Sequence, residues 1–167
     1  MIPRTIAAIS PAWLTQTLRK FGCITQATIT AVNAQVMGQE VGFLDGLARL
    51  HLTYDHDEGG APSSVVVKIP SGEAAYRKIG DRYHAYEREI RFYGDVAPQS
   101  PIRLPRCYYR AVDQAADAYL LILEDLGSLT AGDQVQGLTQ AQAQAAVETI
   151  GRLHANWWET PALEAVD

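Results

Sequence analysis

The sequence has little of what would tie a protein to a metal, a nucleic acid or a membrane. Its 167 residues include two cysteines, Cys23 and Cys107, which lie far apart without metal-binding spacing, so we expect free thiols in a reducing compartment. A formal net charge of −5 argues against a nucleic-acid-binding surface, which needs a basic patch. No apolar run approaches the length of a membrane span, and the N-terminus lacks a signal pattern. We therefore expect a cytoplasmic globular protein without nucleic-acid or membrane partners.

The most informative stretch is a lysine within a run of aliphatic residues, Val65-Val66-Val67-Lys68-Ile69. The proline- and serine-containing segments on both sides predict that this run is a short buried strand. Burial of an ammonium group is costly unless an anion meets it, so we expect a carboxylate or a phosphate ligand beside Lys68. The alternative is a lysine at the strand edge whose ammonium group reaches water.

A helical segment from Glu73 to Val96, with a break expected at Gly80, follows the lysine strand. One apolar face is predicted from residues that recur at alternating spacings of three and four, namely Tyr76, Ile79, Tyr83, Tyr86, Ile90 and Tyr93. Glu87 and Glu89 are the candidate partners of Lys68. A strand lysine followed by a helix glutamate is the phosphate-binding pair of kinases. A solvated helix face is the simpler explanation for either glutamate.

The remaining elements complete an α+β pattern. Ser10-Pro11 is typical of a helix start, and Gly22 ends that helix. Alternating or β-branched residues predict strands over 28–36, 44–54, 106–112 and 118–123. The order predicts a five-stranded antiparallel sheet with one inserted helix, together with an N-terminal helix and an exit into the first helix of a second lobe. This is the architecture of a kinase small lobe.

The last helix is predicted to begin with a capping box formed by Thr139 and Gln142. Its buried face is predicted to comprise Ala143, Val147, Ile150, Leu153, His154 and Trp157. Because His154 lies on this face without a neighbouring acid, we interpret it as a core residue rather than a catalytic one. The apolar face needs a cover, and a homodimer through this helix is one way to supply it.

Three further features fit a nucleotide site around Lys68. Side chains alternate along a strand, so Val66 shares the face of Lys68 and would cover an adenine ring. Gly38 and Gly42 stand between the first two strands, where a phosphate loop belongs, although a simple hairpin turn explains them almost as well. The change from aliphatic residues to 124–127, Glu-Asp-Leu-Gly, is typical of a kinase hinge. We do not interpret Asp-Leu-Gly as the metal-binding D-F-G, because no catalytic loop precedes it.

Taken together, the motifs resemble one known family. They are 38–42, 65–71, 89–93, 105–108, 121–126, 132–134 and 153–158, and they are distributed along nearly the whole chain in the order of that family. This set resembles the ecdysteroid-kinase-like branch of the aminoglycoside and choline phosphotransferases. The resemblance implies that Lys68 binds the α- and β-phosphates of ATP and that Glu89, four residues before Tyr93, orients it. It also implies that Glu124 and Leu126 meet adenine through backbone atoms, and that a small-molecule alcohol accepts the phosphoryl group.

The sequence departs from that family in its catalytic residues. We find no H-G-D or H-R-D loop and expect no D-x-D motif, so we assign no catalytic or metal-binding residue to this chain. We expect residues 1–126 to form the nucleotide-binding lobe and 127–167 the hinge exit and the start of a second lobe. Mg²⁺ and phosphoryl transfer are then expected only in a complete enzyme. The alternatives are a pseudokinase-like nucleotide-binding module and a purely structural domain with a buried lysine–glutamate pair.

Overall fold

A computed structural model describes residues 1–37, 45–129, 132–133 and 135–165 of the chain. The helices are α1 (Pro11–Lys20), α2 (Ala74–Arg82), α3 (Ala85–Arg91) and α4 (Gln140–Trp157). The strands are β1 (Ile29–Met37), β2 (Asp45–Tyr54), β3 (Ser64–Pro70), β4 (Cys107–Asp113) and β5 (Ala118–Glu124). A π-helical turn (Phe92–Val96) continues α3, and short 3₁₀ turns occupy Ile6–Ala8, Ala97–Gln99 and Pro161–Ala165. Within these ranges no helix combines the length and the apolar character that a membrane span requires.

The five strands form one sheet in the order β1-β2-β3-β5-β4, and every neighbouring pair is antiparallel. The lysine strand β3 therefore lies at the centre, between β2 and β5. The predicted fold class, an α+β kinase-like small lobe with a five-stranded antiparallel sheet, is confirmed. The predicted strand bounds agree within one or two residues, because the apolar runs and the alternating segments end at clear turn sequences.

One face of the sheet carries the main core. Val65 and Val67 of β3 are fully buried there, because alternate residues of a strand point to the same side. Leu14 and Leu18 of α1 cover this face and are also fully buried. The start of α1 is fixed as predicted, since the Ser10 side chain accepts a hydrogen bond from the Trp13 amide. Burial of each such aliphatic side chain stabilises the fold by about 1.5–3 kcal/mol.

The opposite face, which we call the cleft face, carries α3 and a smaller cluster. Ile90 of α3 packs against Leu121 and Leu123 of β5. Lys68 and Val66 belong to this face, because they pair with Leu121 and Leu123 across the sheet. Strand residues on one face therefore lie in the main core, whereas those on the cleft face are partly exposed and include the predicted site.

The helical segment after β3 breaks at a different residue from the one predicted. Gly80 lies inside α2 and is buried, whereas the chain turns at His84, whose φ of 51° is left-handed. This turn separates α2 from α3, so the predicted single apolar face does not form, although Gly80 still lies against the Tyr86 ring. Tyr86 and Ile90 are buried, but Ile79 and Tyr83 are 45% and 59% exposed.

The last helix begins as predicted but does not bury the predicted face. Thr139 and Gln142 form the reciprocal capping box. Trp157 is buried, whereas Val147 and Ile150 are 69% and 54% exposed and His154 is exposed as well. Within the described chain no other element packs along α4 to cover them. The interpretation of His154 as a core residue is therefore wrong, and the exposed Val147 and Ile150 agree with the expectation that this apolar face needs a further cover.

Candidate functional site

Lys68 and Glu89 form the centre of the site. The Lys68 Nζ atom lies 2.6 Å from Oε1 and 2.7 Å from Oε2 of Glu89, so the carboxylate holds the ammonium group with both oxygens. The two side chains are 21% and 31% exposed, which places the pair at the boundary between the sheet and solvent. The predicted contact between this lysine and this glutamate is confirmed. Charged hydrogen bonds of this length are among the stronger polar contacts in proteins.

The structure also decides between the two candidate glutamates. Glu87 pairs with Arg91 at 3.0 Å and accepts a hydrogen bond from the Gln114 side chain at 3.0 Å. Glu89 lies between the buried residues Tyr86 and Ile90, which fix α3 against the sheet. The packing of α3 therefore directs Glu89 toward β3.

Aromatic residues lie beside the ion pair on the cleft face. Lys68, Glu89, Tyr86 and Tyr119 line a cavity of about 10 Å³, which has room for about one water molecule. Tyr93 packs with Ile90 in the cleft-face cluster. Burial is the main cause that raises the pKa of the Tyr93 phenol, and the negative charge of Glu89 raises it further. The space between the ion pair and these rings is therefore too small for any ligand larger than a water molecule.

Val66 has the orientation that the alternation predicts. It is half-buried on the cleft face, while Val65 and Val67 on either side are fully buried in the core. Its neighbours across the sheet are Arg49 of β2 and Leu123 of β5. Its contact with an adenine ring stays a prediction.

At the end of β5 the backbone groups of the predicted hinge are partly used. The Glu124 amide donates to the Arg106 carbonyl at 2.8 Å, and the Leu126 carbonyl accepts from the Leu129 amide at 2.8 Å. The Glu124 carbonyl and the Leu126 N–H are the two backbone groups that the hinge prediction assigns to adenine. The Glu124 carboxylate binds the Arg103 guanidinium at 2.6 and 2.9 Å, and this contact lowers its pKa.

Asp125, between these two residues, has an unpredicted role in the structure. Its carboxylate accepts hydrogen bonds from Arg49 at 2.7 and 3.1 Å, from the Ser64 hydroxyl at 2.7 Å and from the Gly127 amide at 2.9 Å. These bonds, that of Arg49 foremost, lower the pKa of Asp125 to about 2. The alternation of β2 places Arg49 on the face opposite the core, but only the sheet register brings it to Asp125.

The expectation that the chain lacks a D-x-D motif is wrong, since Asp55-His56-Asp57 is one. The motif follows β2, where Asp55 accepts a hydrogen bond from the Thr28 amide at 2.8 Å and contacts His56 at 2.8 Å. Asp55 stands eight residues beyond Leu47, the partner of Lys68 in β2, which corresponds to about 25 Å of extended strand. This D-x-D therefore joins β1 to the β2–β3 connection and does not belong to the site.

Gly38 and Gly42 of the predicted phosphate loop, and Gln134 of the 132–134 motif, lie outside the described residues. Cys23 and Cys107 are free thiols, as predicted. Burial raises the pKa of Cys23, and it raises the pKa of Cys107 to about 11.

Comparison with protein families gives a match. The sequence profile of the ecdysteroid kinase-like family matches residues 42–157, which is more than half of the chain and includes Lys68, Glu89 and the 124–127 segment. A search of curated proteins finds no match. The geometry of the lysine–glutamate pair on a five-stranded antiparallel sheet agrees with this profile match. The chain belongs to the ecdysteroid kinase-like family.

Proposed function

We propose that the chain binds ATP on the cleft face and is the nucleotide-binding part of an ATP-dependent small-molecule O-phosphotransferase. The observation that carries the proposal is the two-oxygen contact of Glu89 with Lys68 at the open edge of the cleft face. Family membership supports the reaction class, in which a small-molecule alcohol is the acceptor.

The ion pair suits the phosphate end of ATP. Glu89 restrains an otherwise flexible lysine side chain, so the ammonium group is held in place before a ligand arrives. Phosphate oxygens accept strong hydrogen bonds from such a group, and a kinase uses this pair to position the α- and β-phosphates. A pair that served only to stabilise the fold would gain little at this exposure.

The 124–126 backbone suits the base end. Adenine presents an amino donor beside a ring-nitrogen acceptor, and the Glu124 carbonyl and the Leu126 N–H are the acceptor and the donor that match them. Glu124 pairs with Val65, three residues before Lys68 on β3, which separates the two ends by about 10 Å. This separation is comparable to the length of a nucleoside, and Val66 lies between the two ends.

Mg²⁺ accompanies ATP in such reactions, but the described residues do not fit a site for it. Mg²⁺ requires several oxygen ligands, whereas the Glu89 carboxylate is already bound to Lys68. No group of three or more His, Cys, Asp or Glu residues in the described ranges could hold a metal. We therefore assign no residue to the ion and derive no step through it.

The test is ATP binding by the purified chain, measured by isothermal titration calorimetry with and without Mg²⁺. We expect weak binding, because the described wall encloses only one side of a nucleotide. Lys68→Met should weaken it about 10-fold or more, which corresponds to about 1.4 kcal/mol. Glu89→Gln should also weaken it, since the lysine loses its restraint. The matched control is Lys78→Met, because Lys78 is exposed on α2.

Two outcomes would contradict the proposal. The first is no ATP binding by the wild-type chain at millimolar concentration. The second is equal affinity of the wild type and Lys68→Met, which would leave the ion pair with a structural role only.

A further inference from the structure

The carboxylate of Asp125 connects the predicted hinge to two strands of the sheet. Arg49 belongs to β2, Ser64 to β3, and Gly127 follows the hinge. Both strand residues lie on the cleft face, since Arg49 pairs with Val66, and Ser64 is two residues before Val66 on the same strand. The Asp125 side chain is only 10% exposed, so the connection is largely shielded from water.

The neighbouring glycine is required by this arrangement. A Cβ atom at Gly127 would lie 2.5 Å from Nη2 of Arg49 and 3.1 Å from its guanidinium carbon. Any other residue at this position would have to displace the guanidinium or the hinge backbone. Arg49 therefore lies directly against the segment that follows Asp125.

The backbone position of Asp125 gives these bonds a consequence for the base end of the site. The Glu124 carbonyl and the Leu126 N–H belong to the two peptide groups on either side of the Asp125 Cα atom. Rotation about the φ and ψ of Asp125 would redirect both groups. Its bond to the Gly127 amide closes a local turn, and its bonds to Arg49 and Ser64 hold that turn against the sheet.

We propose that Asp125 is a positioning residue for the nucleotide base, which fixes the Glu124 carbonyl and the Leu126 N–H before a nucleotide binds; the inference rests on the function proposed above. Without these bonds the hinge must be ordered during binding, and that ordering reduces affinity. The effect is confined to the base end, since Lys68 pairs with Leu121 on β5, three residues from Glu124, and its ammonium group is bound by Glu89 of α3.

The test compares ligands that use different ends of the site. The chain is titrated with ATP, with inosine triphosphate, whose base has an oxygen in place of the amino group, and with inorganic tripolyphosphate, which has no base. Asp125→Asn should weaken ATP binding about fivefold and bring the affinities for ATP and inosine triphosphate closer together. Tripolyphosphate affinity should stay within about twofold, because its contacts are with Lys68.

Three further variants test whether the loss of affinity is specific to the base end of the site. Lys68→Met should weaken ATP and tripolyphosphate alike. Asp57→Asn, an exposed aspartate after β2, should change neither. Arg49→Lys keeps the positive charge but loses the two-pronged contact with the carboxylate. It should reproduce the base-selective loss, and it serves as the second variant if Asp125→Asn unfolds.

Amide hydrogen exchange of the nucleotide-free protein provides a readout that needs no ligand. Asp125→Asn should accelerate exchange at Gly127, whose amide loses its charged acceptor, without changing the exchange of central β3 amides. Unchanged exchange at Gly127 would overturn the proposal. So would a parallel loss of ATP and tripolyphosphate affinity, or an unchanged ratio between the two nucleoside triphosphates.

The outcomes separate this proposal from the proposed function. If the wild type binds ATP and Asp125→Asn binds it equally well, only the positioning role fails. If the wild type binds tripolyphosphate as tightly as ATP, base recognition fails and the positioning role fails with it, while phosphate binding stands. If the wild type binds none of the three ligands, the proposed function itself is refuted.

Discussion

Alanine substitution at Gly80 tests the packing that holds α3 against the sheet. A Cβ atom built at Gly80 meets two ring carbons of Tyr86 at 2.6 Å and its hydroxyl oxygen at 2.7 Å. Tyr86 is only 6% exposed, so its ring has little room to move. Overpacking of this kind costs about 1–3 kcal/mol. Alanine is favoured over glycine inside a helix by about 1 kcal/mol.

The balance of these effects predicts that Gly80→Ala lowers the free energy of unfolding by up to about 2 kcal/mol. Gly151→Ala is the matched control, because Gly151 also lies inside a helix but a Cβ atom there has no neighbour within 4 Å. This control should cause no loss of stability. Urea unfolding monitored by circular dichroism measures both variants.

A Gly80→Ala variant at least as stable as wild type would refute the reasoning, since helix propensity would then outweigh the contact with Tyr86. The same variant also tests a link to the site. Tyr86 precedes Glu89 by three residues on one face of α3, so a displaced ring should shift the carboxylate that holds Lys68.

Two other predictions concern ionisable groups outside the site. Hydrogen bonds from the Ala27 amide and from Thr25 lower the pKa of Glu58 from 4.5 to about 2. Because the folded pKa is the lower one, this stabilisation is present above about pH 4.5 and is lost toward pH 2. Glu58→Gln should therefore be less stable than wild type at pH 7, with a difference that shrinks in acid, and a pH-independent difference in urea unfolding would contradict this. Cys107, with a pKa raised to about 11, should react far more slowly with iodoacetamide at pH 8 in the native protein than in urea, as mass spectrometry can measure; equal rates would exclude the protection.

Strands and helix caps could be predicted because their signals are local. Side chains alternate between the two faces along β2 and β3, so the position of a residue in the strand indicates whether it points into the core. The capping box depends only on Thr139 and Gln142. The same alternation placed Lys68 and Val66 on one face. In the helix that follows the lysine strand, Glu87 and Glu89 were then the two candidate partners of Lys68.

The features that could not be predicted depend on the rest of the fold. His84 adopts a left-handed conformation that no local pattern requires of a histidine, so the break appeared to belong to Gly80. The period of α4 revealed an apolar face but could not reveal what would cover Val147 and Ile150. Arg49 and Asp125 are 76 residues apart, and only the pairing of β2 with β3, and of β3 with β5, brings them together.

The unequal cores on the two faces of the sheet have a consequence for motion. The face covered by α1 holds most of the fully buried side chains, whereas α3 is attached to the cleft face through Ile90 and a small cluster. Detachment of α3 would therefore expose much less apolar surface than unfolding of the sheet, and its free energy would lie well below that of global unfolding. The sheet and α1 therefore form one rigid unit, and α3 is a helix that can move relative to it. The bond between Lys68 and Glu89 could break and re-form through local opening while the sheet stays folded.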